Sequence, residues 1–335
     1  MQKRIKYIDV AKFIGIFCIF LGHFGSSAGY AYAFVFSFHV PLFFFLSGCT
    51  ENLGSDIPWY KYVWKNIKNI LIPFYLFALI SVVIQCVLTN TYTEVLPNLI
   101  CILKGCIRNQ FFASSLWFLT CLFVIKIVFY SLRKLLKYKI LLLLVCLAFY
   151  IIAQLVIKPA PIIAPHMPYN IDSACYYIVF YGLGYCCFEI VHSILAFDNV
   201  LKKIIGGAVG AISFAFSAAL FFGKNLLDYL GANTILNLIS YLLTPLIVIA
   251  FVLIISRIVE NADVFVEIGK NTLFLCGSEY IIKLLVVICL QIIGLDIYFL
   301  NPMAVYIYTF ALLLLSQKAL VPIEKAMFKK LRLLN

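Results

Sequence analysis

The chain is poor in charge and lacks the patterning of two large protein classes. Asp, Glu, Lys and Arg make up only 12% of its 335 residues, whereas soluble globular proteins contain about 25%. The short segments of alternating polarity that build a transmembrane β-barrel are missing as well. The composition therefore excludes an ordinary soluble domain and argues against a barrel.

Motifs of metal, nucleotide and serine-nucleophile chemistry are also missing. The sequence has no CxxC pair, no zinc-ligand spacing, no phosphate-binding glycine loop and no nucleophile elbow. Its twelve cysteines lie mostly in apolar runs, where they act as small hydrophobic residues. Cys101 and Cys106 lie five residues apart near a predicted outer loop, and a bridge between them stays open. We predict no metal site.

Apolar sequence, by contrast, is abundant. Hydrophobic residues make up 64% of the chain, and runs of about 20 of them recur along its length. This pattern predicts an all-α polytopic membrane protein with about ten transmembrane helices in a single domain, residues 1–335. The predicted spans are Tyr7–Phe24, Phe34–Leu53, Ile70–Leu88, Ser114–Leu132, Ile140–Ile157, Ser173–His192, Ile204–Phe222, Thr234–Ser256, Thr272–Ile293 and Pro302–Leu320.

The distribution of basic residues predicts the orientation. With the N-terminus inside, 20 of the 26 Lys and Arg residues fall on the inner side and four in outer loops. Because cytoplasmic loops are rich in Lys and Arg, both termini are predicted to be cytoplasmic. Asp9, Lys12 and His23 interrupt the first apolar stretch, so we expect it to be retained as a span rather than cleaved as a signal peptide.

Two ionisable residues in the first span are the strongest indication of function. Lys12 and His23 are eleven residues apart, which places them about 20° apart on one helix face. His39 in the second span is predicted to lie at a depth similar to that of His23. Ionisable residues at membrane depth usually mark a functional site. The alternatives are a hydrogen-bonded structural role for each histidine and snorkelling for Lys12, which Asp9 is close enough to pair with.

Further polar residues lie in later spans. Glu279 and Lys283 are spaced for an ion pair on one helix face, and Lys126 near the midplane is a candidate partner for Glu279. Trp117 fits a substrate contact or an ordinary interfacial aromatic residue. The amphipathic segment Trp59–Asn69 carries Lys61, Lys65 and Lys68 on one stripe. It fits either a lipid anchor or a cationic surface for a phosphate-bearing donor.

Five strings in this sequence resemble the integral-membrane acyltransferase-3 family. They are RIKYIDVAKFIGIFCIFLGH, FSFHVPLFFFLSG, KNIKNILIPFY, SLWFL and IGKNTLFL, at residues 4–23, 36–48, 65–75, 115–119 and 268–275. Members of that family are ten-helix bacterial membrane proteins. They transfer an acyl group, usually acetyl from cytoplasmic acetyl-CoA, to a sugar or related acceptor. The resemblance implies that His23 is the essential catalytic residue and Lys12 its supporting cation.

The sequence thus predicts an O-acyltransferase of the bacterial cytoplasmic membrane, acting on a cell-surface carbohydrate or glycolipid. Its catalytic residues are predicted to be His23, Lys12 and His39, and the acyl-CoA site Lys12, Lys65 and Lys68. The predicted substrate contacts are Asp9, Ser47, Trp117, Lys126, Glu279 and Lys283. A transporter or flippase is the main alternative, since intramembrane Lys, His and Glu could form a substrate path. A membrane sensor or assembly partner without chemistry is a further one.

Overall fold

The computed structural model describes residues 4–52, 56–157, 164–225, 227, 233–295, 299 and 301–331. Within these residues the regular structure is helical, with no strand. The α-helices are α1 (Lys6–Gly22), α2 (Tyr30–Asn52), α3 (Trp59–Asn66), α4 (Ile72–Thr89), α5 (Val95–Leu103), α6 (Trp117–Leu135), α7 (Lys139–Leu155), α8 (Ile171–Leu195), α9 (Val200–Phe221), α10 (Thr234–Ile258), α11 (Asp263–Lys270), α12 (Thr272–Ile292), α13 (Pro302–Leu315) and α14 (Val321–Lys330). The all-α polytopic prediction is confirmed.

Seven helices in the described part of the chain are long and apolar enough to cross a membrane. They are Tyr30–Glu51, Trp59–Thr89, Pro168–Leu195, Val200–Phe221, Thr234–Ile258, Thr272–Ile292 and Pro302–Lys330. The other three predicted spans coincide with α1, α6 and α7, which have 17, 19 and 17 residues. The chain is therefore a multi-pass membrane protein, while the count of ten and the orientation of the termini stay predictions.

The predicted third span, Ile70–Leu88, is the later part of a longer helical run. The amphipathic segment before it forms α3, which continues into α4 through a π-helical turn, Ile67–Leu71. Trp59–Thr89 is thus one run of 31 residues. Pro73 follows that turn and lacks the N–H of an ordinary helical bond, and the wider π turn accommodates the lost bond without ending the helix. The same arrangement recurs where the π turn Ser316–Leu320 precedes Pro322 in α14.

The chain divides into two compact units that alternate along the sequence. Unit 1 comprises residues 1–54, 183–272 and 299–313, and unit 2 comprises 55–182, 273–298 and 314–335. In unit 1, α1 packs against α2, α10 and α11, and α9 packs against α10. Its core is a continuous set of apolar side chains from these helices, including Ile8, Leu42 and Val248.

Unit 2 is built around aromatic packing. The ring of Phe77 lies against Gly277 of α12 and contacts the rings of Phe274 and Phe328. A side chain at residue 277 would overlap the Phe77 ring, so glycine allows α4 and α12 to approach closely. The interleaving of the two units leaves the single-domain assignment of residues 1–335 a prediction.

Candidate active site

Helices α1 and α2 are antiparallel, and two glycines of α1 set their register. A Cβ atom at Gly15 would lie 2.7 Å from the Phe43 ring, and one at Gly22 would lie 3.2 Å from the Phe36 ring. The two contacts are seven residues apart on each helix, so the helices run side by side between them. The same register places Lys12 opposite Leu46 and Ile19 opposite His39.

His23 is the first residue beyond α1. The helix ends at Gly22, and His23 is its C-cap with φ −80° and ψ 3°. Its side chain is exposed, whereas that of Lys12, earlier on the helix, is partly buried. Eleven residues at 1.5 Å each separate the two by about 16 Å along the axis. The two residues lie at opposite ends of α1 rather than in one compact pair.

His39 is buried and oriented by the backbone of its own helix. Its side chain is 5% exposed, its Nδ1 lies 2.5 Å from the Val35 carbonyl oxygen, and its ring meets Phe36 edge-on. Because a carbonyl oxygen only accepts, Nδ1–H is the donor in this bond. By the α1–α2 register, His39 lies about one helical turn, ~6 Å, deeper than His23. The similar membrane depth of the two histidines stays a prediction.

Asp9 has a partner that the sequence reasoning missed. Arg4 donates to both carboxylate oxygens, from Nε at 2.6 Å and from Nη2 at 3.1 Å. Asp9 is 2% exposed, and such a bidentate contact offsets the cost of burying its charge. The predicted Asp9–Lys12 pairing did not anticipate this bond. The basic residues before the first span were interpreted only as an orientation signal.

Ser47 and Lys12 lie at the same level of the α1–α2 pair. The register that places Lys12 opposite Leu46 places Ser47 one residue further along α2, and the Ser47 carbonyl accepts a bond from the Thr50 hydroxyl at 2.9 Å. The structure thus gathers Lys12 and Ser47 at one end of the pair and His23 and His39 towards the other.

Unit 2 holds the remaining predicted site residues. Lys126 donates to the Tyr181 hydroxyl at 3.3 Å, and its ammonium lies 5.7 Å from the ring centres of both Tyr62 and Tyr181. Such cation–π contacts stabilise a charge away from water. Glu279, 3% exposed, forms an ion pair with Lys283, as its spacing predicted. The Lys126–Glu279 pairing stays a prediction.

Trp117 is covered by a cation that the sequence reasoning did not single out. Trp117 is 7% exposed, and the guanidinium of Arg108 lies 4.8 Å from its ring centre. The same guanidinium donates to the Tyr177 hydroxyl at 3.1 Å. No local pattern marks Arg108, because its partners are about 10 and 70 residues away in the sequence.

The cationic stripe of α3 lies beside a second group of charges. Lys65 and Lys68 are exposed, with Lys68 5.4 Å from the centre of the Trp64 ring. Just before α3, Asp56 accepts from Lys134 at 2.5 Å and from Arg133 at 2.8 Å, both at the end of α6. The hydrogen bond from Lys134 is the main cause that lowers the pKa of Asp56 from 3.8.

The described residues contain no group of three or more His, Cys, Asp or Glu side chains placed to hold a metal ion. All twelve cysteines are free thiols, including Cys101 and Cys106. Unit 1 contains the imidazoles of His23, His39 and His192. The two predicted site histidines differ in setting, since His23 is exposed at a helix end and His39 is oriented by a main-chain carbonyl. An imidazole with a free lone pair accepts a proton from a hydroxyl near neutral pH.

Comparison with protein families identifies the chain. A family model described as an acyltransferase domain, acyltransferase-3, matches residues 5–317. This chain belongs to the acyltransferase-3 family. It is therefore a multi-pass membrane acyltransferase, which needs an acyl donor. No curated protein and no solved structure matches it, so family membership gives the reaction class and leaves the donor and acceptor to be inferred from the residues.

Proposed function

We propose that this protein is an O-acyltransferase of the bacterial cytoplasmic membrane. It transfers an acyl group, acetyl from cytoplasmic acetyl-CoA, to a hydroxyl of a cell-surface carbohydrate or glycolipid. The observation that carries the proposal is the position of His23 in an acyltransferase-3 chain. It ends the first membrane helix with an exposed side chain, while Lys12 lies about 16 Å away on the same helix.

His23 acts as the general base in this proposal. Its neutral imidazole takes the proton from the acceptor hydroxyl as the oxygen attacks the thioester carbonyl carbon. The tetrahedral intermediate then collapses, the C–S bond breaks, and the thiolate of CoA leaves and takes up the proton. Such a base contributes typically 10²- to 10⁴-fold to the rate. An acyl-histidine intermediate is the alternative course of the same reaction.

Lys12 serves the donor in this proposal, and the donor role of Lys65 and Lys68 stays a separate prediction from the sequence. Lys12 is too far from His23 for direct contact in a straight helix, so we assign it to the phosphates or the pantetheine arm of acyl-CoA. Lys65 and Lys68 are exposed and one turn apart, as expected for residues that bind phosphate groups as point charges. Asp9 and Ser47 flank Lys12 and would position it or the donor arm.

Mass spectrometry of surface polysaccharides and glycolipids tests the proposal. Cells that express the wild-type protein should carry a modification of one acyl unit that cells without it lack, and the added mass identifies the acyl group. His23→Ala should abolish the modification while the protein remains folded in the membrane. A folded His23→Ala protein with wild-type acyl transfer would overturn the base assignment.

His192→Gln is the matched control. His192 is also an exposed histidine of unit 1, with its Nδ1 3.1 Å from the Tyr7 hydroxyl, and glutamine keeps a hydrogen-bonding side chain there. It should retain transfer. Substrate movement across liposome membranes without acyl-CoA, with no acylated product, would instead support the transporter alternative.

A further inference from the structure

Two loops of unit 2 meet beside the first turn of α4, far from its other end. The Tyr169 hydroxyl lies 2.5 Å from that of Tyr75, which is the fourth residue of α4. Leu88, the predicted outer end of that span, is 13 residues and about 20 Å further on. Even with the reach of two tyrosine side chains, residues 164–170 therefore dip below the outer end of the helix.

Residues 104–109 dip with them. The Tyr169 N–H donates to the Lys104 carbonyl at 2.8 Å, and a Cβ at Gly105 would lie 2.9 Å from the Tyr169 Cα. Non-helical backbone at such depth is tolerated where it is buried in protein or lines a polar cavity. The fully buried Asn170 then fixes the next part of the loop, since its Oδ1 accepts from the Arg108 N–H at 2.8 Å.

These two loops hold the guanidinium of Arg108 without an ion pair to a carboxylate among the described residues. Arg108 is partly exposed, and its side chain contacts Trp117 and the Tyr177 hydroxyl. Among the described residues no Asp or Glu forms an ion pair with it. The nearby Asp172 is instead held by the main-chain N–H groups of His166, Met167 and Ser173, at 2.8, 3.1 and 2.8 Å.

Strained backbone around Arg108 supports a ligand-binding role for this site. Cys106, Asn109, Tyr169 and Asn170 all have φ between 46° and 66°, a region that costs energy for residues other than glycine. Such strain persists where surrounding structure imposes it, often at ligand sites. A partly exposed guanidinium held between strained loops, with no ion pair to a carboxylate among the described residues, is suited to a ligand that supplies negative charge.

We propose that Arg108 binds a phosphate or carboxylate group, so that unit 2 carries a binding site for an anionic sugar or glycolipid. The binding site stands apart from the proposed function and is tested by binding alone. The predicted topology assigns residues 89–113 to the outer side, where cell-surface sugars are found. Guanidinium is the preferred side chain for planar or bidentate recognition of either anion.

Trp117 provides a built-in reporter for the test. The chain has three tryptophans, and Trp59→Phe with Trp64→Phe leaves only Trp117, whose ring the Arg108 guanidinium covers. The protein is placed in nanodiscs of zwitterionic lipid without any acyl donor. Glucuronate and glucose 6-phosphate should change the Trp117 emission saturably, whereas glucose should not. Melting temperatures with each sugar, measured on the chain with all its tryptophans, give a second readout.

Two variants make the test specific. Arg108→Gln should weaken anion binding roughly tenfold or more, while Arg108→Lys, which keeps the charge, should retain part of it. Lys104→Gln removes a charge from the same loop at an exposed position and should leave binding unchanged. Arg108→Gln protein that melts as the parent without ligand shows that any loss is one of binding.

Equal responses to charged and neutral sugars, or an unchanged response in Arg108→Gln, would overturn the proposal. A sugar response that vanishes in nanodiscs containing phosphatidylglycerol would assign the site to a lipid headgroup and also overturn it. Because binding is measured without donor, its failure is distinguishable from failure of acyl transfer. A His23→Ala protein should bind the anionic sugars normally.

Discussion

Gly269 lies against the main chain of Asp9. A Cβ at residue 269 would overlap the Asp9 carbonyl, so only glycine lets α11 approach α1 so closely. The contact joins the string IGKNTLFL to the string that carries Lys12 and His23. It stabilises the helix on which the proposed base and donor cation lie, and it gives the late string a structural role.

Gly269→Ala should therefore destabilise unit 1. The added methyl group would overlap the main chain of Asp9, which cannot rotate away as a side chain can. Such overpacking costs typically 1–3 kcal/mol. We expect a lower melting temperature and reduced acyl transfer in the same protein. The melting temperature in nanodiscs, followed by intrinsic fluorescence, measures the effect.

Gly207→Ala is the control for that experiment. Gly207 lies inside α9 of the same unit, and nothing lies within 4 Å of where its Cβ would be. Alanine favours a helix over glycine by roughly 0.5–1 kcal/mol, so this variant should melt at the same temperature or slightly higher. Equal destabilisation by both variants would show that the Asp9 contact is not the cause.

Lys12 should affect the donor rather than the chemical step. Lys12→Met keeps the length of the side chain and removes the charge, so we expect a higher KM for acetyl-CoA, by about tenfold for one lost charge-assisted contact. The kcat should change little. Lys12→Arg keeps the charge and should recover part of the affinity. A fall in kcat with unchanged KM would place Lys12 in the chemical step instead.

The charges around Asp56 predict a pH dependence of stability. Lys134 holds the pKa of Asp56 below 3.8 in the folded protein. A lowered folded-state pKa stabilises the protein above the unfolded pKa, and the contribution is lost as pH falls through the folded value. The difference in melting temperature between wild type and Asp56→Asn should be constant from pH 5 to 8. It should disappear as the pH falls below 4. Because Asp56 is exposed, it should be small.

Asp198→Asn is the matched control. It breaks a single ion pair, in which Asp198 lies 2.9 Å from Lys202 one helical turn away. It should lower the melting temperature less than Asp56→Asn does, because Asp56 contacts both Arg133 and Lys134. A difference for Asp56→Asn that persists at pH 3 would mean that the amide itself disturbs the start of α3.

Much of the fold followed from apolar runs, because each is long enough to form a helix whatever surrounds it. The α1 and α2 boundaries, the Glu279–Lys283 pair and the amphipathic α3 are all local properties of the sequence. The continuous α3–α4 run was missed because Pro73 indicates a helix start, and only the π turn shows how the helix passes it. The Arg4–Asp9 bond was missed because the basic N-terminal residues fit an orientation signal equally well.

The polar clusters of unit 2 were harder to predict from the sequence. The contacts of Arg108 with Trp117 and Tyr177, and of Lys126 with Tyr62 and Tyr181, join residues far apart in the sequence. Such contacts depend on tertiary packing, which periodicity does not encode. The sequence therefore places Lys12 and His23 along one predicted helix but gives no reason to select Arg108.

His39 offers the sharpest separation of a chemical from a structural role. In His39→Asn the side-chain amide N–H can take the place of Nδ1–H and donate to the Val35 carbonyl, but no atom replaces Nε2. If Nε2 handles a proton or positions the acceptor, His39→Asn should fold as the wild type and lose transfer by about 10²-fold or more. His39→Phe should lose the bond to Val35 as well and melt at a lower temperature.

The two variants together decide the role. A structural His39 predicts that His39→Asn transfers like the wild type and that activity follows the melting temperature across both variants. A chemical His39 predicts that His39→Asn is stable and inactive, and that its loss does not add fully to that of His23→Ala, because groups that act in one step are not additive. Transfer rates of the double variant, measured beside its melting temperature, distinguish the two outcomes.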